Sequence, residues 1–273
     1  MTDTVRIIPC LLLQDDSLAS TTCFRQPRHI GDPVDAVRMF NRAGADQLIL
    51  LDIMASRKRG LFGSKAGGKP DIDLIARVSD ECYMPLTCGG GIRTVEDIRD
   101  IMSRGVEKVL IGTHAVEDPS FVGRASDVFG SHSIAIAIDA KRLQDGRYEA
   151  YTNGGVRPAG IDPVSLAQHM ESMGAGEIFL NAIDRDGTLQ GYDLKLIKSV
   201  ARAIKIPVIA CGGAGSVEDF RAAIHAGAAS AAASSALIFQ GCRRNLQVSY
   251  PTRREIDGTL HGTPGAAVAE GRQ

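Results

Sequence analysis

PLTCGGGIRTVEDIRDIMSRGVEKVLIGT, residues 85–113, and PVIACGGAGSVEDFRAAIHAGAASAAASS, residues 207–235, are two copies of one unit. They overlay at a constant offset of 122 positions, with identical pairs at Pro85/Pro207, Gly90/Gly212, Gly91/Gly213, Val95/Val217, Glu96/Glu218, Asp97/Asp219, Arg99/Arg221 and Gly105/Gly227. Each copy opens on a short apolar run that reads as a strand and breaks at glycines. Thr94 or Ser216 then stands as an N-cap ahead of acids in a first helical turn. Gly105 or Gly227 stops the helix and a second apolar run follows.

The same alternation extends outward over the chain. Strand-like runs fall at Val5–Leu12, Gln47–Ile53, Met84–Cys88, Lys108–Gly112, Ile134–Asp139, Glu177–Ala182, Val208–Cys211 and Ala229–Ala233. They are apolar throughout rather than alternating, as strands of a parallel sheet buried on both faces should be. Helices are predicted to begin near Pro33, Asp71, Val95, Pro119, Pro163, Leu194 and Val217. Asp32-Pro33, Asp118-Pro119 and Asp162-Pro163 each place an acid at N-cap and proline at N1, and Gly44 and Gly174 end two of these helices. Asp32-Pro33-Val34 with Gly44-Ala45 overlays Asp162-Pro163-Val164 with Gly174-Ala175. Two copies of a four-strand βα unit give eight strands, and closing them leaves no sheet edge. The expected fold is a single α/β domain, a (β/α)8 TIM barrel with a twofold half-barrel repeat. A doubly wound sheet is disfavoured because neither glycine run has the G-x-G-x-x-G spacing. The barrel is expected over residues 1–245, a closing segment with a poorly patterned helix over 246–261, and a disordered tail rich in Gly and Ala over 262–273.

The chain has 273 residues, 44% hydrophobic and 23% charged, which suffices for a large core. A net charge of −1 offers no field to attract nucleic acid or anionic lipid. No apolar run reaches membrane-spanning length, and Met-Thr-Asp-Thr-Val-Arg lacks the pattern of a signal peptide. Of the six cysteines, Cys10, Cys23, Cys82, Cys88, Cys211 and Cys242, no two are spaced as C-x-x-C, so no metal site is expected. Cys10, Cys88 and Cys211 read as small buried hydrophobes, and a reducing cytoplasm suits this usage.

Chemistry is expected where buried strands end. Ile-Ala-Ile-Ala-Ile-Asp, residues 134–139, is apolar until Asp139, at the end of a barrel strand where catalytic groups collect. Asp52 ends the second strand, and Asp184-Arg185-Asp186-Gly187-Thr188 follows the sixth. Asp139, Asp52 and Asp186 are the candidate acid–base groups; one of Asp184 and Asp186 can equally be structural. Gly90, Gly91 and Thr113 in the first half are matched in the second by Gly212, Gly213, Ser234 and Ser235. Glycines let a backbone approach an anion, and a short helix opening at Ser235 would aim N–H groups at it. The same glycines also suit tight βα turns. Recurrence with hydroxyls favours two phosphate sites spanning the mouth. Aligning strand one with Ile134–Asp139 puts Leu12 where the repeat calls for a carboxylate. At the other end, Arg6, Gln47, Lys108 and Glu177 start strands and form either a functional ring or a salt-bridged plug.

Arg6-Ile7-Ile8-Pro9-Cys10, Leu51-Asp52-Ile53, Cys88 to Asp97, Ala137 to Arg142, Asp184 to Thr188 and Pro207 to Gly215 together resemble the HisF family, the cyclase subunit of imidazole glycerol phosphate synthase in histidine biosynthesis. The resemblance spans residues 5–240. It implies a cofactor-independent barrel that converts the aminated ribonucleotide PRFAR and ammonia to imidazole glycerol phosphate and AICAR. The ammonia would come from a glutaminase subunit docked beneath the barrel and travel through its core. Asp139 takes the family's acid–base position, and Gly90, Thr113, Gly213 and Ser235 take its phosphate positions. Arg6, Gln47, Lys108 and Glu177 take the gate, with glutamine at 47 where the family has glutamate. The family's other catalytic aspartate falls on Leu12, and the lysine of its first loop falls on Ser20. Ile8 to Leu13, the insert Arg57–Lys69 and Ser249-Tyr250-Pro251 resemble a HisF-like paralogue subfamily associated with acetamidino modification of surface sugars. There, barrel and glutaminase supply ammonia to a separate sugar amidotransferase. Three readings follow: an ammonia-receiving subunit of that kind, a histidine-pathway cyclase relying on Asp139, or a non-catalytic scaffold that activates its glutaminase. A sister phosphoribosyl isomerase is disfavoured, since it too needs an acid at Leu12.

Overall fold

The computed structural model describes residues 5–55, 68–240 and 246–261. The tail 262–273, nearly all of the insert Arg57–Lys69, and Cys242 lie outside these residues.

Strand β1 (Arg6–Gln14) runs up the barrel and turns into a hairpin, β2 (Ser17–Thr22) and β3 (Arg25–Gly31). Then follow α1 (Pro33–Ala43), β4 (Leu48–Asp52), α2 (Ile72–Glu81), β5 (Leu86–Gly89), α3 (Val95–Met102), β6 (Lys108–Ile111), α4 (Thr113–Glu117) and α5 (Ser120–Phe129). The second half holds β7 (Ile134–Arg142), a small hairpin of β8 (Tyr148–Thr152) and β9 (Arg157–Pro158), α6 (Pro163–Ser172), β10 (Glu177–Ala182), α7 (Leu194–Ala203), β11 (Val208–Cys211), α8 (Val217–His225) and β12 (Ser230–Ala233). A last hairpin, β13 (Ile238–Gln240) and β14 (Leu246–Val248), precedes α9 (Arg253–His261).

The parallel strands β1, β4, β5, β6, β7, β10, β11 and β12 pair in that order, and β12 pairs back onto β1 to close the (β/α)8 barrel. Ile8, Cys10, Ile49, Leu110, Phe179, Ile209 and Cys211 point inward and fill the barrel. A larger apolar layer, with Phe40, Phe121 and Ile98 fully buried, lies between barrel and helices. Two buried faces explain why these strands read as unbroken apolar runs.

The helix starts follow their caps. Asp32 Oδ1 accepts from Val34 N at 2.7 Å, and Asp162 Oδ1 accepts from Val164 N at 2.9 Å. Thr94 with Asp97 and Ser216 with Asp219 form matched capping boxes, each worth about 1 kcal/mol. Asp118-Pro119 departs from expectation. Helix α5 starts at Ser120 without a side-chain cap, because the Asp118 carboxylate is drawn to the Ser120 hydroxyl and the Arg124 guanidinium. The expected short helix at Ser235 is also absent. The chain turns there and continues as β13, whose Ile238 pairs with Val248. Leu237 and Ile238 are thereby buried. The closing segment is fastened by Tyr250, whose hydroxyl donates to Ile7 O at 2.8 Å while its ring meets Phe40 edge-on. Among the described residues, no helix is long and apolar enough to cross a membrane.

Candidate active site at the barrel mouth

The C-terminal ends of the strands surround a cavity of ≈ 130 Å³. Leu12, Asp52, Asp139 and Asp186 all line it, so the three candidate carboxylates and the leucine in place of a fourth share one site. Asp139 stands on β7 beside Asn181 of β10 and Tyr151 of β8. Asp52 Oδ1 accepts from Met54 N at 2.8 Å and Ala55 N at 3.0 Å. That Asx turn shapes the following loop and commits one of its oxygens. Asp184 and Asp186 separate clearly. Asp184 Oδ2 takes the Arg142 N–H at 2.7 Å and pins a loop. Asp186 is buried against the cavity and accepts the Thr21 hydroxyl at 2.7 Å. Burial raises the Asp186 carboxyl above the ordinary range, and the Thr21 hydrogen bond opposes the shift.

The β2–β3 hairpin covers this mouth. Cys23 N donates to Asp186 O at 2.8 Å, Phe24 lines the cavity, and Ser20 Oγ meets Ser235 Oγ at 3.3 Å. Cys23, Phe24 and Gln26 all have left-handed φ, of 49°, 59° and 49°. Cys23 and Phe24 form the hairpin tip and Gln26 lies just inside β3, so strain collects at and beside the turn, as at functional loops.

The matched glycine loops are explained first by packing. A Cβ on Gly90 would lie 2.5 Å from Asp52 O, and one on Gly212 would lie 2.7 Å from Ala182 O. Each glycine lets one strand end fold against the carbonyl of the preceding strand. The halves then diverge. Gly90, Gly91 and Thr113 line the cavity together with Arg93 and His114. Of the second-half set, Ser234 lines it; Ser235 faces Ser20, and the Gly213 carbonyl accepts from Gly191 N at 2.8 Å. Thr113 Oγ1 accepts from Asn153 N at 2.9 Å. The His114 ring packs on Phe121, and its imidazole is lowered by burial and then by Arg93. Although Glu117 Oε2 is 3.9 Å from His114 Nδ1, that separation is too long for a hydrogen bond. Arg93 holds the same Glu117 oxygen at 2.6 Å.

At the opposite end, Arg6 Nη1 donates to Gln47 Oε1 at 3.0 Å, and Gln47 Nε2 donates to Thr87 Oγ1 at 3.2 Å. Lys108 Nζ lies 2.9 Å from Glu177 Oε2. Gln47 and Glu177 are both buried. The four residues singled out in the sequence thus pair two by two across the bottom of the barrel.

Asn181, His114, Thr21, Phe24 and Thr87 were missed in the sequence. Asn181 carried a signal, being the polar residue near the end of the apolar run Glu177–Ala182 and level with Asp139. His114 follows the Gly112-Thr113 pair directly. Thr21 and Phe24 sit in a hairpin without apolar periodicity and carried none.

A closed parallel barrel with carboxylates and glycine loops at its C-terminal mouth, built from two matched halves, defines the half-barrel-repeat class of (β/α)8 proteins. The family model described as "Histidine biosynthesis protein" matches residues 6–243, and the chain belongs to that family as a HisF-like member. It is 44% identical over 253 residues to a Pseudomonas aeruginosa protein named "Putative imidazole glycerol phosphate synthase subunit hisF2", covering 92% of this chain and 98% of that one. It is 40% identical over 258 residues to the Leptospira interrogans "Putative imidazole glycerol phosphate synthase subunit HisF", covering 94% and 98%. With the Alkaliphilus metalliredigens "Imidazole glycerol phosphate synthase subunit HisF" it shares 44% over 234 residues, 86% and 90% of the two chains.

Proposed function

We propose that this chain is the ammonia-receiving barrel of a glutamine amidotransferase system, serving acetamidino modification of a surface sugar rather than imidazole synthesis. The observation that carries this reading is Leu12. It lines the mouth with Asp139, where the half-barrel repeat calls for a second acid, and a leucine side chain neither accepts nor donates a proton. In this reading a glutaminase subunit docks at the N-terminal face. Ammonia passes the Arg6–Gln47 and Lys108–Glu177 pairs and then an interior walled by Ile8, Ile49, Leu110 and Phe179. Neutral ammonia tolerates such a lining better than ammonium does. At the mouth, Asp139 and Asp186 are the proton-transfer groups, and the loops at Gly90, Gly91 and Thr113 hold a phosphorylated small molecule. A sugar amidotransferase is the consumer of the ammonia.

The test is reconstitution with the glutaminase subunit and the sugar amidotransferase. Wild type is expected to couple glutamine hydrolysis to amidination, and Lys108→Glu is expected to lose that coupling while free ammonium still supports the reaction. Equal glutamine-dependent rates for both would remove the channel. The second reading is a histidine-pathway cyclase. The presence of Asp139 and Asp52 at the mouth and the name of the Alkaliphilus relative favour it. It requires turnover of PRFAR with free ammonia.

A further inference from the structure

His114 and Glu117 stand three residues apart on α4, so their side chains share one face of that helix. They do not bond to each other. His114 Nδ1 lies 3.9 Å from Glu117 Oε2, and that oxygen is taken by Arg93 Nη2 at 2.6 Å. Arg93 reaches it from the loop ahead of α3. His114 Nδ1 is left buried and, among the described residues, without a hydrogen-bond partner. Buried polar atoms are nearly always paired. Here the nearest acceptor is already occupied, so one carboxylate oxygen stands between two donors.

Charge decides which donor holds it. The charged groups facing the imidazole are Arg93, Glu117 on α4, and Asp118 ahead of α5, whose carboxylate is held by Arg124. Burial and then Arg93 lower the proton affinity of the ring, against the pull of Asp118 and Glu117. Both Arg93 and His114 line the mouth beside Gly90, Gly91 and Thr113. Of the described residues lining the cavity, Arg93 is the one permanent cation. An anion seated at those loops therefore competes with Glu117 for the same guanidinium. Once Arg93 turns to the anion, Glu117 Oε2 loses its donor and the imidazole loses the positive charge beside it.

We infer that an anion bound at the first-half loops exchanges the partners of this trio: Arg93 passes from Glu117 to the anion, and His114 takes one proton from solvent and donates its Nδ1–H to Glu117. Anion and proton then bind together, and affinity at the mouth follows pH. This rests on the reading of these loops as a phosphoryl site and adds a proton-linked control to it.

The test is calorimetric titration of the full chain with inorganic sulfate, whose own charge is fixed near neutral pH, in two buffers of different ionisation enthalpy. Wild type is compared with His114→Gln, Glu117→Gln and Arg93→Gln. Wild type should take up protons as it binds, and should bind sulfate roughly tenfold more tightly at about pH 5.5 than at about pH 8. Linkage is reciprocal, so sulfate should raise the titration midpoint of the His114 ring, followed by its NMR signals and assigned by their loss in His114→Gln. His114→Gln should still bind but lose the proton uptake and most of the pH dependence. Glu117→Gln should bind more tightly than wild type at about pH 8, because Arg93 is released, and should also lose the uptake. Wild-type binding without proton uptake, or His114→Gln with the wild-type pH dependence, would overturn the inference and leave the phosphoryl site standing. Sulfate that fails to bind wild type, or binds Arg93→Gln equally well, would sink the phosphoryl reading of these loops and this inference with it.

Discussion

Replacing Leu12 with aspartate should restore part of the chemistry that the repeat calls for. Leu12 sits on β1 in register with Leu51 and Ala19, half-buried at the lip of the inner core. Because it is half-buried, the lost packing should cost about 1–2 kcal/mol, which a barrel with this core can absorb. The new carboxylate would share the mouth with Asp139 and Asp52, and like charges raise one carboxyl's pKa. That yields an acid and a base across one cavity. Supplying an absent acid–base group is worth roughly 10²–10⁴ in rate, or about 3–5 kcal/mol of barrier. Ser20, where the resemblance calls for a lysine, limits the gain, so Leu12→Asp with Ser20→Lys should exceed Leu12→Asp alone. The assay is ammonia-dependent turnover of PRFAR by wild type, Asp139→Asn and both variants, with melting temperatures to confirm folding. If the single and double variants fold and turn over no faster than wild type, the absent acid is not what separates this barrel from a cyclase.

Gly187 has φ +66°, and a Cβ there would lie 2.0 Å from Thr21 O; Gly187→Ala should therefore unseat the β2–β3 hairpin, seen as faster limited proteolysis near residues 22–26 with little change in melting temperature. Tyr148 donates to both Asp193 oxygens at 2.9 Å, and burial followed by that carboxylate pushes its phenol up to about 12. The raised value favours the neutral phenol, so this stabilisation is present in full below about pH 10 and fades as pH rises toward 12. Tyr148→Phe should lose roughly 1 kcal/mol at pH 8 and converge on wild type in alkali, by urea denaturation across that range.

The barrel was legible because its physics is local. Parallel strands buried on both faces are continuous apolar runs, and Asp32, Thr94, Asp162 and Ser216 announce helix starts through bonds made within three residues. The places of Asp52 and Asp139 at the mouth were legible for a related reason: each follows an apolar run that reads as a buried strand. What failed depended on distant partners. Ser234-Ser235 falls opposite Gly112-Thr113 at the repeat's offset, yet Leu237 and Ile238 are buried and Ile238 pairs with β14 instead of continuing a helix. The β2–β3 hairpin is polar and hydroxyl-rich, and its order comes from Asp186 and Ser235, more than 160 positions away along the chain. The bottom group was visible as four residues, but its pairing two by two and the Gln47–Thr87 hydrogen bond required the fold.

The most direct measurement is the turnover of PRFAR with free ammonium by the purified wild-type chain. The expected rate is at least about a hundredfold below the ordinary enzyme range of roughly 1–10³ per second. A wild-type rate within that range would contradict it and make the barrel a working cyclase despite Leu12.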